Sequence, residues 1–297
     1  MPTATMTSLE NRLTQVINGI RNLPTPPIVF QQIQKVINDP ETSVGDVASI
    51  LSEDPAMSVK VLKLTNSAFY GLSREIDSVK HAVMIIGLEA VKNLVLSASV
   101  LNMFKANDGN KEYHESFWRH SLANAFAARI IASKLRRGKQ FNPDPGFSCG
   151  LIHDIGKMIF CCFMPREHKA ITEYQNAHPD MPELEAEVAV LGFTHAQMGR
   201  QLAITWKLPA RMADAIGYHH NPDIENGSDG FAYLINLADY IALSAFPVDN
   251  LERNLPDLYP ATRQFFQIDD NEIELLKAAL FEEYMKAETF MKIAGVS

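Results

Sequence analysis

Cysteine is nearly absent from this chain of 297 residues, which has three: Cys149, Cys161 and Cys162. An odd count with no C-x-x-C pair argues against a disulfide framework and against a thiolate zinc site, and it points to a reducing cytoplasm. Positive charge is also short. Lys and Arg number 27 against 35 Asp and Glu, a formal net charge of −8. A chain of that sign gains nothing from counterion release, so nucleic acid is not an expected partner. Long apolar runs are missing too. The longest, around Leu94 to Phe104 and Met158 to Met164, fall well short of the roughly 20 residues a membrane span requires. The first twenty residues lack a basic region ahead of an apolar run, so neither a secretory signal nor a membrane partner is expected. No tract of low complexity and no repeat of 20–50 residues is present.

What the chain does have is apolar residues at helical spacing. They make up 46% of the sequence, enough to bury a sizeable core without disulfides. Leu9, Leu13, Val16, Ile17 and Ile20 form one stripe behind a capping box of Thr7 and Glu10. Pro26 and Pro27 suit the first turn of a second helix. Ser43 with Asp46, and Asp54-Pro55, mark two further helix starts. Helices are predicted over Val79 to Ile86 and Leu88 to Phe104, separated by Gly87. After the polar break Ala106-Asn107-Asp108-Gly109-Asn110, helices are predicted over Glu115 to Leu135, Phe147 to Phe163, Glu167 to Ala177, Glu183 to Leu191, His195 to Trp206, Ala210 to Tyr218 and Gly230 to Ser244. A last pair ends the chain, with Asp269 and Glu272 capping its final member. No window alternates convincingly at period two. The expected fold is all-α, divided into an N-terminal helical layer over 1–107, a second helical subdomain over 108–245 and a C-terminal extension over 246–297.

Four of the nine histidines, His81, His114, His168 and His178, read as ordinary surface histidines. The other five break apolar segments: His120 within Phe117-Trp118-Arg119-His120-Ser121-Leu122, His153 between Ile152 and Asp154, His195 after Gly192-Phe193-Thr194, and His219-His220 at a helix end. Asp154 and Asp239 break apolar runs in the same way. A buried imidazole or carboxylate without a partner costs about 1–3 kcal/mol or more, so such groups pair with one another or with a metal. Imidazole nitrogens and carboxylate oxygens suit iron, manganese or zinc. Adjacent residues on a regular helix point about 100° apart, so His153 and Asp154 can serve one site only near a helix end or distortion. The flanking Gly150 and Gly156 would supply that tolerance. Lys157 shares a helical face with Asp154; taken alone it reads more simply as a surface lysine.

The order His120, His153-Asp154, Asp239 resembles the H…HD…D pattern of the HD superfamily of metal-dependent phosphohydrolases. His153-Asp154-Ile155-Gly156-Lys157 is similar to its H-D-I-G-K form. Upstream, Leu23-Pro24-Thr25-Pro26-Pro27, Asp54-Pro55-Ala56-Met57, Leu64-Thr65-Asn66-Ser67-Ala68-Phe69-Tyr70-Gly71 and Ile85-Ile86-Gly87-Leu88 resemble the HDOD domain, the HD-related output domain of bacterial signalling proteins. The resemblance covers roughly residues 21–245. It implies an HD-type helical domain with a dinuclear metal site, one metal held by His120, His153, Asp154 and Asp239 and a second by Asp154, His195, His219 and His220, with Asp154 as the bridge. The HDOD family is generally regarded as regulatory, which implies a signalling protein partner met through the N-terminal layer. The complete ligand set implies instead a phosphohydrolase acting on a nucleotide or other phosphoester. In that reading Asp154 and Lys157 are catalytic, and Lys157 holds an oxygen of a small phosphorylated ligand. Asn221-Pro222-Asp223 stands where cyclic-di-GMP-cleaving relatives carry Gly-Tyr-Pro, and Ser116 where some carry glutamate; both departures argue against that substrate. The Phe69-Tyr70-Gly71 segment reads either as a partner contact or as core packing. The C-terminal helices could cover the core or join two copies as a homodimer.

Overall fold

A computed structural model describes residues 3–37, 39–67, 70–104, 110–135, 141–224, 230–246 and 257–284, and every regular element among them is helical. The expected boundary at 107/108 lies outside the described residues, as does Phe69. The first helix, α1 (Thr3–Gly19), begins four residues ahead of the expected cap, so Thr7 and Glu10 lie within it. Other start signals act as expected. Ser43 and Asp46 form a reciprocal capping box on α3 (Val44–Ser52), and the Asp54 side chain accepts from Met57 N–H at the head of α4 (Pro55–Thr65). Pro27 is instead the N-cap of α2 (Ile28–Val36), so Pro26 and Pro27 lie ahead of the first turn they were expected to fill. Gly87, at φ 88°, separates α5 (Val79–Ile86) from α6 (Leu88–Met103).

Helix α6 is buried along most of its length and packs against α2, α4 and α5 on one side and α8 (Pro143–Ile152) on the other. It joins the N-terminal helices to the rest of the core. Helix α7 (Lys111–Lys134) runs through the centre, against α8 and α14 (Phe231–Ala245). Phe117, Trp118, Phe126 and Phe160 fill the interior. Beside them lie α9 (Ile155–Phe163), α10 (Pro165–Ala177), α11 (Glu183–Leu191), α12 (His195–Thr205) and α13 (Ala210–Tyr218). The last described helices are α15 (Pro260–Phe266) and α16 (Asp270–Tyr284); α16 buries Ile273, Leu276 and Leu280 and packs on α7 and α14. The C-terminal helices therefore cover the core.

The helix expected over Phe147 to Phe163 is two helices, broken at His153-Asp154. Taken as one stretch, Pro143–Phe163 is long and apolar enough to cross a membrane, but 89% of its most apolar window is buried within the fold, as in core helices. Three surface assignments change. His114 is buried, accepting from Trp118 Nε1 (3.0 Å) and standing 2.8 Å from the Phe104 carbonyl. His168 is half-buried, with its ring edge-on to Tyr113. Lys157 is only 2% exposed. For His114 and His168 tertiary packing covers a polar-flanked position that local composition marks as surface, and Lys157 is drawn inward with the apolar segment around it. Tyr70 is half-buried against the core with Arg129 over its ring, which favours the packing reading of its segment.

Candidate metal centre

The break between α8 and α9 turns His153 and Asp154 toward one interior point. His153 occupies the C-cap of α8 and Asp154 the N-cap of α9, so neither continues a regular helix. The flanking glycines have a different part from the expected one. Neither has positive φ; each permits a close approach. A Cβ on Gly150 would stand 2.8 Å from the Cα of Ala125 on α7, and one on Gly156 would collide with the backbone of His195 on α12.

Those approaches gather the other six expected ligand residues around Asp154. Asp154 Oδ2 lies 3.4 Å from His153 Nε2 and 3.8 Å from His120 Nε2. Asp154 Oδ1 lies 3.0 Å from His195 Nε2 and 3.4 Å from His219 Nε2. The donor atoms form two compact sets, His120, His153 and Asp239 on one side and Asp154, His195, His219 and His220 on the other. Asp239, from α14, stands 3.0 Å from His120 Nε2 and 3.3 Å from His153 Nε2. All are buried except His220, which is half-buried and marks the more open side.

Hydrogen bonds on the far side of three rings fix which nitrogen faces inward. His153 Nδ1 donates to the Gly150 carbonyl (2.8 Å), His219 Nδ1 to the Ile216 carbonyl (2.7 Å) and His195 Nδ1 to the Glu187 carboxylate (2.9 Å). A carbonyl can only accept, so in the neutral rings the Nε2 lone pairs point to the centre. There His120 Nε2 stands 3.2 Å from His153 Nε2, and His195 Nε2 3.0 Å from His220 Nε2. Each of those close contacts holds either an N–H of His120 or His220 donated to the facing lone pair or, when both nitrogens are bare, a metal ion. Buried Asp154 Oδ1 and His219 Nε2 make no hydrogen bond of acceptable geometry, which adds two buried acceptors to the same side. The donor set fits a divalent transition metal.

Charge in the centre follows the same lines. Burial alone would raise Asp154, but His153, Lys157 and His195 hold it well below the usual carboxylate range. Burial likewise opposes ionisation of Asp239, and hydrogen bonds from His120 and His153 hold it well below that range too. Burial pushes His153 down, yet Asp154 and Asp239 outweigh it and the ring is raised. His195, against burial, is lifted to about 10, first by Glu187 and then by Asp154. His219 and His220 are lowered, chiefly by burial.

Lys157 Nζ bridges Asp154 Oδ2 (3.0 Å) and Glu183 Oε2 (2.9 Å), so its charge already faces two carboxylates. The sequence reading missed Glu183, Glu187 and Asn124. Asn124, one turn after His120 on α7, donates to Asp239 Oδ1 (3.2 Å) and lies 3.3 Å from His153 Nε2. Asn124 is a single polar residue in the apolar run Leu122-Ala123-Asn124-Ala125-Phe126, whereas Glu187 follows Glu183 and Glu185 in an acidic stretch. The signal that singled out the histidines was present for Asn124 as well.

A family model described as HDOD domain matches residues 23–222. The match includes six of the seven ligand candidates and stops short of Asp239 and of the expected limit at 245. Over 206 residues the chain is 27% identical to an uncharacterized protein of Treponema pallidum (strain Nichols), covering 69% of this chain and 39% of that protein. The chain spans well under half the length of the curated relatives it matches. A solved structure of a candidate signal transduction protein from Marinobacter aquaeolei VT8 aligns with a TM-score of 0.76 at 22% identity, over 97% of this chain and 66% of that one. A candidate phosphohydrolase from Shewanella amazonensis SB2B aligns with a TM-score of 0.68 at 23% identity, over 96% and 97% of the two chains. Likeness at these identities speaks to the shared helical fold.

Proposed function

The chain belongs to the HDOD family, and from that premise we propose that it is a bacterial, cytoplasmic signal-transduction module built around a dinuclear metal site. His120, His153, Asp154 and Asp239 would hold one divalent ion and Asp154, His195, His219 and His220 the other, with iron or manganese ahead of zinc. The observation that carries this reading is the division of the Asp154 carboxylate, whose Oδ2 faces the first set of nitrogens and Oδ1 the second. When bound, such a pair supplies Lewis acidity toward a phosphoryl oxygen and acidifies water.

Contacts of the N-terminal layer support the signalling role. Arg12 of α1 donates to the Leu191 carbonyl at the end of α11 (2.8 Å), the helix that carries Glu187. Glu10 stands 3.7 Å from Arg200 on α12, which also pairs with Asp214 on α13 (3.0 Å). A protein partner engaging α1 would thus act on the elements presenting His195 and His219-His220. The second reading, an active phosphohydrolase on a nucleotide or other phosphoester, is favoured by the complete ligand set and by buried Lys157 beside Asp154. In that reaction Lys157 would exchange Glu183 for a phosphate oxygen, and Glu187 would keep His195 oriented.

Elemental analysis of protein purified without chelator or nickel tests the proposal. About two equivalents per chain are expected, and Asp154→Ala should lose both while its helical circular dichroism persists. No bound metal after anaerobic reconstitution overturns the dinuclear site. On loaded protein, phosphoester turnover that Asp154→Ala abolishes would establish the enzyme reading, and no turnover across the screen would leave the signalling one.

A further inference from the structure

Three histidines of the centre present Nε2 inward, but they reach that state by two routes. His153 and His219 sit at the C-caps of α8 and α13, and each donates Nδ1–H to the carbonyl three residues earlier, Gly150 or Ile216. A helix end offers such carbonyls without help from elsewhere, because the last turn leaves them unpaired. His195 is the first residue of α12, after the Thr194 cap. A helix N-terminus has spare N–H groups and no preceding turn of carbonyls. Both the ring Nδ1–H and the backbone N–H of His195 therefore need an acceptor from another element.

Glu187 on α11 meets both needs. It is 2% exposed; Oε1 accepts from His195 Nδ1 (2.9 Å) and Oε2 from His195 N–H (2.7 Å). Two donors on one residue, held by the two oxygens of one buried carboxylate, fix the ring's rotation and its tautomer together. We propose that Glu187 is the positioning residue of the second metal position, holding His195 with Nε2 directed at Asp154 Oδ1. This rests on the dinuclear reading for its consequence and on hydrogen-bond geometry alone for its cause. Glu187 touches no ligand atom that faces the centre, and its effect passes through His195. Partners of this kind typically carry about 10–100-fold in metal affinity.

Two readouts separate the parts. The first is zinc binding by wild type, Glu187→Gln and Glu187→Ala, with stoichiometry and stepwise affinity from chelator competition. The wild type is expected to take two ions. Glu187→Gln, whose amide offers one acceptor where two donors wait, should weaken the second ion about tenfold, and Glu187→Ala about a hundredfold. The first ion should stay within a few-fold in both. The second readout needs no metal: ring ¹⁵N shifts of His195, followed as pH is raised past about 10, identify which nitrogen keeps its proton once the ring is neutral. Nδ1–H is expected in the wild type and a tautomer mixture in Glu187→Ala. Two ions bound with unchanged affinity in both variants would overturn the positioning role and leave the dinuclear site standing. No ion bound by the wild type, with Nδ1–H still dependent on Glu187, would retain the positioning and remove the metal. An Nε2–H tautomer in the wild type would overturn the proposal in either case.

Discussion

Gly156 on α9 lies against the backbone of His195 on α12 so closely that a Cβ there would overlap the His195 carbonyl. The two helix N-termini meet at this point, and the contact sets how far His195 stands from Asp154, two residues before Gly156. Gly156→Ala forces the helices apart. Overpacking of this kind costs about 1–3 kcal/mol, and here the shift falls on a ligand. Urea denaturation should show that loss, and metal analysis should show the second equivalent weakened. A variant with native stability and two tightly bound ions would show that the contact does not set the ligand's place.

The two donor sets share Asp154 and meet again at the His153 and His219 rings, whose centroids are 5.0 Å apart, but each keeps three donors of its own, so their losses should be separable. His120→Ala removes a nitrogen facing Asp154 Oδ2 and Asp239; His220→Ala removes the half-buried nitrogen opposite His195. Each variant is expected to bind one equivalent where the wild type binds two. If either substitution released both ions, the sites would be cooperative and the division at Asp154 would not describe them.

Protons compete for the same lone pairs. Without metal, His195 is lifted to about 10, so its ring carries a second proton near pH 7, and His153 is raised above its ordinary value. Loading must expel that second proton. The sign follows: apparent affinity rises with pH through neutrality, by about tenfold per unit for each proton displaced. Calorimetry in buffers of different ionisation enthalpy should register at least one proton released per loading event at pH 7. Loading with no proton release would place the ions on other groups.

Periodicity, capping pairs and breaker residues made the all-α class, most helix limits and all seven inward-facing residues legible in the sequence. Capping chemistry is local, which is why Ser43-Asp46 and Asp54-Pro55 could be read directly. Lys157, His114 and Glu187 could not be read that way. Lys157 is buried because Glu183 arrives from another helix, His114 because the Phe104 carbonyl turns back on it, and Glu187 because it faces a helix start eight residues on. Each depends on contacts between elements, and local composition carries no record of those. Gly150 and Gly156 make the same point from the backbone. Their positions suggested flexibility; what they provide is proximity.

Arg12 joins the first helix to the centre at one remove. Its guanidinium donates to the Leu191 carbonyl, lies over the Phe193 ring and flanks Gly192, whose left-handed φ of 77° ends α11. Four residues before that carbonyl is Glu187. Removing the guanidinium in Arg12→Ala leaves the end of α11 without its external donor, at a cost of about 1 kcal/mol for a part-buried bond. If α1 acts on the centre through this contact, the effect should travel in one direction. Amide exchange should quicken in the last turn of α11 and at His195, and the second metal equivalent should loosen several-fold, while α8 and the first equivalent stay as they were. Faster exchange confined to α1, with both equivalents unchanged, would break the link between the N-terminal layer and the metal centre. A signalling partner would then need another route inward, of which the Glu10–Arg200–Asp214 chain to α13 is the one in view.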